Sequence, residues 1–149
     1  MHKYSFETEI GEDLALMPLG VRRKLDIVGL KFPLKTWQAL SFEERCRLCE
    51  AEPDLMGAES YRALVHLLAQ GRPGELEALP ALPSPRPWAT PEAKARVQER
   101  SQEAGHLLSQ AAWERLDDER RYIVWRLSEA RRGPQKLLAA LKAFLGEAL

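Results

Sequence analysis

The chain has 149 residues, and its 22 lysines and arginines balance its 22 aspartates and glutamates. This length is enough for one domain with a sizeable core. Zero net charge gives no overall field that would draw the molecule onto nucleic acid or an anionic membrane. The sequence has neither an apolar leader nor an apolar run long enough to cross a bilayer. We therefore expect a cytoplasmic protein that binds neither nucleic acid nor membrane.

The composition predicts an all-α fold. There are 24 Leu and 19 Ala in the chain, but only 5 Val, 3 Ile and 3 Thr. Leu and Ala favour helices, whereas the β-branched residues favour strands. The regular structure is therefore expected to be helical.

Residues 1–11 form an N-terminal arm with a different pattern. Here Tyr4, Phe6, Thr8 and Ile10 alternate with polar residues, and alternation with period two is typical of a strand. A single strand has no partner inside a helical domain, so it either lies across the surface or pairs with a second copy of the chain. The second arrangement would make a homodimer through this arm.

Residues 12–70 are expected to form a first group of helices. Pro18 suits the first turn of a helix, and Gly29 suits its end because glycine adopts the left-handed conformation readily. Ser41 and Glu44 have the spacing of a capping box, which predicts that another helix begins there.

A proline-rich segment, residues 71–91, follows this first group. It holds six of the ten prolines and two glycines, so no long helix can cross it. Yet Leu76, Leu79, Leu82 and Trp88 are interleaved with the prolines, and a freely solvated linker has little reason to carry them. We expect an extended strap that lies on the helices and has Trp88 buried.

The part after the strap, residues 92–147, matches the part before it at a constant offset of 76 residues. The identical pairs are Val21 and Val97, Gly29 and Gly105, Trp37 and Trp113, Leu40 and Leu116, Glu43 and Glu119, Arg45 and Arg121, Gly57 and Gly133, and Ala63 and Ala139. Such self-similarity indicates a structural repeat. We therefore predict two pseudo-symmetric helical repeats, joined by the strap, in a single domain that spans residues 1–149.

Helix signals recur in the second repeat. Thr90 and Pro91 are typical of a helix start, and Asp117 is suited to cap a later helix. Arg131 and Arg132 would lie at the end of that later helix, where positive charge is favourable.

One cluster of basic residues is a candidate partner-binding surface on the first helix and the loop after it. Its members are Arg22, Arg23, Lys24, Lys31 and Lys35. They could bind an acidic partner or a small anion. The alternative is a solvated helix face on which Arg22 pairs with Asp26 four residues later.

Cys46 and Cys49 have the spacing of a redox dithiol or of half a zinc site. A structural zinc needs four ligands. The chain offers only the histidines His2, His66 and His106, none at a matching spacing. At the offset of 76, the two cysteines correspond to Tyr122 and Trp125, which favours apolar packing over metal binding or redox chemistry. We expect no metal and no cofactor.

Nothing in the sequence has the spacing of a catalytic site. Trp37 and Trp113 could stack on a ligand, but their equivalent positions favour the core. There is no Ser/His/Asp set, no glycine-rich phosphate loop and no His-Glu metal helix. The protein is therefore not expected to be an enzyme.

Two sets of residues, one in each half, resemble the nitrate-reductase-associated protein family. The first set is Met17-Pro18, Val21-Arg22, Lys24-Leu25-Asp26, Gly29, Lys31, Leu34, Trp37 and Ser41-Phe42-Glu43-Glu44-Arg45. The second set is Pro87-Trp88, Val97, Gly105, Ser109, Trp113, Leu116, Arg121-Tyr122 and Leu127-Ser128. The resemblance covers nearly the whole chain. It implies a small bacterial accessory protein, known mainly from cyanobacteria and linked to the assimilatory molybdenum nitrate reductase.

The resemblance favours a non-catalytic accessory or maturation factor that binds the nitrate reductase polypeptide. A groove between helical halves could hold an amphipathic segment of such a client. One alternative is a regulator of nitrate assimilation that binds a small anion near Arg22 or Lys31. A third is an enzyme or redox carrier that uses the cysteine pair.

Overall fold

A computed structural model describes residues 2–129 and 134–146 of the chain. The predicted helix-end residues Arg131 and Arg132, and the repeat glycine Gly133, lie outside the described residues. The chain divides into two compact units, unit 1 (Met1–Leu82) and unit 2 (Pro83–Leu149). This boundary lies within the predicted strap, and the single-domain arrangement stays a prediction.

Unit 1 is mostly helical. Its helices are α1 (Leu19–Val28), α2 (Leu34–Ala39), α3 (Phe42–Glu50), α4 (Pro53–Met56) and α5 (Ala58–Ala69). Its two short strands are β1 (Leu30–Lys31) and β2 (Glu77–Ala78). The buried residues at the centre of its core are Leu25, Val28, Trp37, Leu48, Tyr61 and Val65. The all-α prediction therefore holds for most of the unit but missed a small sheet.

Local signals in the sequence explain where the helices of unit 1 begin and end. Ser41 accepts a hydrogen bond from the main-chain N–H of Glu44 at 3.1 Å, and Glu44 accepts one from the main-chain N–H of Ser41 at 2.8 Å. This reciprocal pair is the predicted capping box, and it begins α3. Gly29 ends α1 with a φ of 75°, in the left-handed region.

The N-terminal arm is not a strand, so that prediction was wrong. Its main chain forms successive turns, in which the N–H of Glu7 donates to the carbonyl of Tyr4 and the N–H of Ile10 donates to that of Glu7. Because the turns close every three residues, the side chains of Phe6, Glu7 and Ile10 are all buried. Residues 2–11 form no ladder in this structure, and a homodimer through the arm stays a prediction.

The first part of the strap is held against α2 and β1. Thr36 donates to the carbonyl of Pro73 at 2.6 Å. Beyond that point β2 pairs antiparallel with β1, with Leu30 opposite Ala78. The sequence contains few strand-forming residues here, so its composition did not signal this pairing.

In the described part of unit 2, a 3-10 helix at Pro87–Ala89 precedes the α-helices. These are α6 (Pro91–Glu103), α7 (Gln110–Glu114), α8 (Asp118–Glu129) and α9 (Gln135–Leu145). Trp88 is buried, as predicted, and its ring lies edge-on to Tyr122 with 4.8 Å between centroids. Its indole N–H donates to Asp118 at 3.0 Å, which gives the one polar atom of the ring a partner.

Several helices in the two units begin at the predicted offset. α2 and α7 begin 76 residues apart, and so do α3 and α8. Trp37 and Trp113 are both buried. However, α6 begins one turn earlier than the offset from α1 would place it. The superposition of the two halves as pseudo-symmetric repeats stays a prediction.

Within the described part of the chain, no helix has the length and apolar character that crossing a membrane requires.

Candidate functional site

The structure divides the predicted basic cluster into exposed and buried members. Arg22, Lys31 and Lys35 are exposed. Arg23 and Lys24 are buried, with 3% and 5% of their surface accessible. Of the predicted cluster, Arg22, Lys31 and Lys35 are the members that a partner could reach.

Arg23 is occupied by two carboxylates at the start of α4. Its guanidinium donates to Glu52 at 3.1 Å and to Asp54 at 2.9 Å. The guanidinium is buried, whereas the Glu52 and Asp54 side chains are 26% and 41% exposed, so the two carboxylates together keep the buried positive charge paired. Arg23 thus joins α1 to α4 and is not available to a partner.

Lys24 also binds inside unit 1. Its ammonium group donates to the main-chain carbonyl of Cys49, near the end of α3. The sequence placed Lys24 in a candidate partner-binding surface, but its position on α1 points the side chain at the carboxyl end of α3. The favourable interaction of a cation with the negative end of a helix explains this contact.

Glu7 is a buried polar residue that the sequence did not indicate. One carboxylate oxygen accepts from the main-chain N–H of Leu19 at 2.8 Å, and the other accepts from that of Tyr4 at 2.8 Å. Leu19 is the first residue of α1, where a negative charge is stabilised by the helix dipole and by N–H groups without partners. No local motif signals this cap, because twelve residues separate the two partners.

The cysteine pair lies against the core of unit 1 as free thiols. Burial raises the pKa of Cys49 to about 12. Burial also raises the pKa of Cys46, with a smaller contribution from the carboxylates of Glu50 and Glu43. Since the thiolate is both the nucleophile and the metal ligand, these surroundings disfavour metal binding and redox chemistry. The described residues contain no cluster of His, Cys, Asp and Glu that could hold a metal ion.

Besides the two thiols, the phenol of Tyr61 is held in its neutral form in this core. Tyr61 is fully buried, and its hydroxyl donates to the carbonyl of Leu48 at 3.0 Å. Burial raises the pKa of Tyr61 above its ordinary value. The side chain therefore links α5 to α3 and is unsuited to proton transfer near neutral pH.

Trp37 and Arg45 bind the loop that precedes α1. The indole N–H of Trp37 donates to the carbonyl of Leu14 at 2.7 Å. The guanidinium of Arg45 donates to the carbonyl of Asp13 at 2.9 Å, and through Nε to the carbonyl of Trp37 at 3.2 Å. These two side chains thus hold adjacent carbonyls of one loop. The spacing Trp37 to Arg45 recurs as Trp113 to Arg121 in unit 2; the sequence showed this recurrence but not that the arginine contacts the tryptophan carbonyl.

Unit 2 contains an open cleft of about 470 Å³. Its walls include Pro83, Pro85, Pro87 and Trp125, with Arg96 and Glu129 among its charged lining residues. Arg96 donates to Glu129 at 3.0 Å. The cleft therefore combines apolar walls with the polar side chains of Ser84, Thr90 and Glu92 and with the Arg96–Glu129 ion pair.

Large apolar side chains are exposed mainly on unit 1. They are Leu34 on α2, Phe42 on α3, Leu55 and Met56 on α4, and Leu67 on α5, with Leu107 exposed in unit 2. Leu55 is the most exposed, at 89%. Exposed apolar residues of this size, when grouped, are typical of protein interaction sites.

The chain matches the model of a family described as conserved nitrate reductase-associated protein, over residues 3–144. No curated protein and no solved structure matches it.

Proposed function

The chain belongs to the family of conserved nitrate reductase-associated proteins, and we propose that it is a non-catalytic accessory or maturation factor for assimilatory molybdenum nitrate reductase. In this role it binds the reductase polypeptide in the cytoplasm of a bacterium. The family match over residues 3–144 is the observation that carries the proposal.

The surface of unit 1 supports binding to a protein. Leu55 and Met56 are adjacent and exposed on α4, and Leu67 is exposed on α5. Burying such side chains against a partner contributes roughly 25 cal/mol for each Å² of apolar surface removed from water. Exposure of these side chains does not stabilise unit 1, whereas their burial against a bound client would stabilise the complex.

The exposed cations support a client with acidic groups. Arg22, Lys31 and Lys35 lie on α1, on β1 and on α2. Lys31 has Glu77 at 3.8 Å, with both side chains largely exposed, and an exposed pair of this kind contributes little. The three cations are therefore available to speed association with an acidic surface.

The ionisable groups of unit 1 support a non-catalytic role. The thiols and the phenol have raised pKa values, so none is poised to act as a nucleophile or base near pH 7. Arg23 and Lys24 are occupied by internal partners.

Loss of the protein from its host tests the proposal. Cells that lack it should contain nitrate reductase polypeptide at a normal level but with low activity. The purified protein should itself show no turnover of nitrate. Normal reductase activity in such cells, at both low and high molybdenum supply, would contradict a role in maturation.

Co-purification tests direct binding. Tagged protein from a nitrate-grown host should capture nitrate reductase, and Leu55→Ser should reduce capture. Leu107→Ser is the matched control, because Leu107 is also highly exposed but lies in unit 2. Equal capture by both variants and by the unchanged protein would show that the exposed apolar side chain of Leu55 does not contribute to binding the reductase.

Charge reversal tests the basic residues. The double variant Arg22→Glu with Lys35→Glu should weaken capture and leave the fold intact, since both side chains are exposed. Lys24 is unsuitable for this experiment because it is buried. Stabilisation of the purified protein by nitrate or molybdate, together with no capture of the reductase, would favour the small-anion-binding regulator instead.

A further inference from the structure

Arg121 in unit 2 has a donor without an acceptor. Its Nε atom is buried and has no hydrogen-bond partner. Its Nη2 donates to the carbonyl of Trp113 at 3.2 Å, and its guanidinium lies over the Trp113 ring, 5.1 Å from the centroid. A buried donor without a partner is uncommon in folded proteins, so this Nε has the capacity for one further hydrogen bond.

Arg45 in unit 1 shows that other arrangement. It also binds the carbonyl of the tryptophan eight residues before it, but through Nε. This leaves Nη1 to donate to the carbonyl of Asp13 and Nη2 to donate to that of Gln38. The same residue pair can therefore bind an additional chain segment when Nε, and not Nη2, contacts the tryptophan carbonyl.

The local chain explains why Arg121 lacks such a segment. In unit 1 an irregular loop precedes α1, and its carbonyls at Asp13 and Leu14 face Arg45 and Trp37. In unit 2, α6 begins directly after its cap at Thr90, so its early carbonyls enter the hydrogen bonds of the helix.

We infer that Trp113 and Arg121 form a binding site for the main-chain carbonyls of a polypeptide segment from a protein partner. On binding, Arg121 leaves the Trp113 ring, places Nε on the Trp113 carbonyl, and donates from Nη1 to the incoming segment. The indole N–H of Trp113 donates to the adjacent carbonyl. The inference rests on the proposed function for the identity of the partner, nitrate reductase, and on the contacts of unit 1 for the mode of binding.

A peptide from unit 1 is the appropriate probe. The N-acetylated, C-amidated peptide Glu-Asp-Leu-Ala-Leu-Met corresponds to residues 12–17, the segment that Trp37 and Arg45 already hold. Adding it to the full-length protein should shift the indole ¹⁵N–¹H signal of Trp113 in a saturable way. The signal of Trp37 should not move, because its site is occupied by the same segment of the chain.

Three variants locate the site. Arg121→Gln should weaken peptide binding by about tenfold, since a charge-assisted hydrogen bond is lost. Trp113→Phe keeps a ring but removes the indole donor, and should weaken binding by about threefold as measured from other shifted amide signals. Arg115→Gln is the control, because Arg115 is exposed at the end of α7, and it should bind as the unchanged protein does.

The outcomes separate this inference from the proposed function. Absence of saturable binding, a shift of Trp37 alone, or equal affinity of Arg121→Gln would overturn the inference. A Trp113 shift caused by sodium nitrate and not by the peptide would also overturn it, in favour of an anion site. Capture of nitrate reductase without peptide binding would leave the proposed function in place, whereas peptide binding without capture would contradict only the proposed function.

Discussion

The buried carboxylate of Glu7 accepts a hydrogen bond from the main-chain N–H of Leu19, with 2.8 Å between the two atoms. Leu19 begins α1, and Pro18 before it has no side-chain hydrogen bond to offer. Glu7 of the N-terminal arm thus caps α1, because Pro18, the residue directly before the helix, cannot do so. This contact makes the arm part of the fold of unit 1.

We predict that Glu7→Gln lowers the free energy of unfolding by about 1–3 kcal/mol, because a charged acceptor is lost at the start of a helix and in a buried position. Glu12→Gln is the control, since the Glu12 side chain is almost fully exposed, and should change stability by less than about 0.5 kcal/mol. Urea unfolding followed by circular dichroism measures both. Equal stabilities would show that the Glu7 charge contributes nothing.

Gly74 provides a second test of how the strap is held. Its φ is +87°, and a Cβ atom there would collide with the hydroxyl of Thr36, which binds the Pro73 carbonyl. Gly74→Ala should therefore destabilise the protein more than Gly71→Ala, which has a φ of +75° but no atom near the added Cβ. Backbone strain alone costs about 1–2 kcal/mol. Thermal unfolding compares the stabilities of the two variants. An equal loss of stability in both would show that the Thr36 side chain moves aside at no cost in free energy.

The thiols should react slowly in the folded protein. With a pKa of about 12, Cys49 carries roughly one thiolate in ten thousand molecules at pH 8. Cys46→Ser leaves Cys49 as the only thiol, and its labelling by a disulfide reagent should be slow in buffer and fast in denaturant. The purified protein should also hold no zinc. Rapid labelling in buffer, or one equivalent of zinc, would show that the cysteine pair is reactive.

The capping box should make stability depend on pH. The main-chain N–H of Ser41 and the guanidinium of Arg72 hold the pKa of Glu44 below 4.5. The charged form therefore stabilises the folded state above about pH 4.5, and this contribution is lost as the pH falls through the lowered pKa. Glu44→Gln should be less stable than the unchanged protein by about 0.5 kcal/mol at pH 7, and the difference should shrink as the pH falls through the lowered pKa of Glu44. A difference that stays constant from pH 7 to pH 3 would contradict the assignment.

Short-range features of this protein were predictable from its sequence. Ser41 and Glu44 lie three residues apart, so their capping box needs only one turn of helix to form. The start of α6 is equally local, because the Thr90 side chain accepts a hydrogen bond from the main-chain N–H of Ala93 and Pro91 is the first helical residue. Trp88 was expected to be buried because a large aromatic side chain among prolines gains most by leaving water, and it is buried.

Long-range features were decided by the tertiary structure alone. Arg23 and Lys24 look like solvated cations in the sequence, but Glu52 and the carbonyl of Cys49 lie opposite them once α3 and α4 pack against α1. The alternating pattern of the arm suggested a strand, whereas the Glu7 carboxylate caps the start of α1 across twelve residues of intervening chain. Such contacts depend on which helix ends meet, because the energy of a buried charge is set by its neighbours in space and not by its neighbours in sequence.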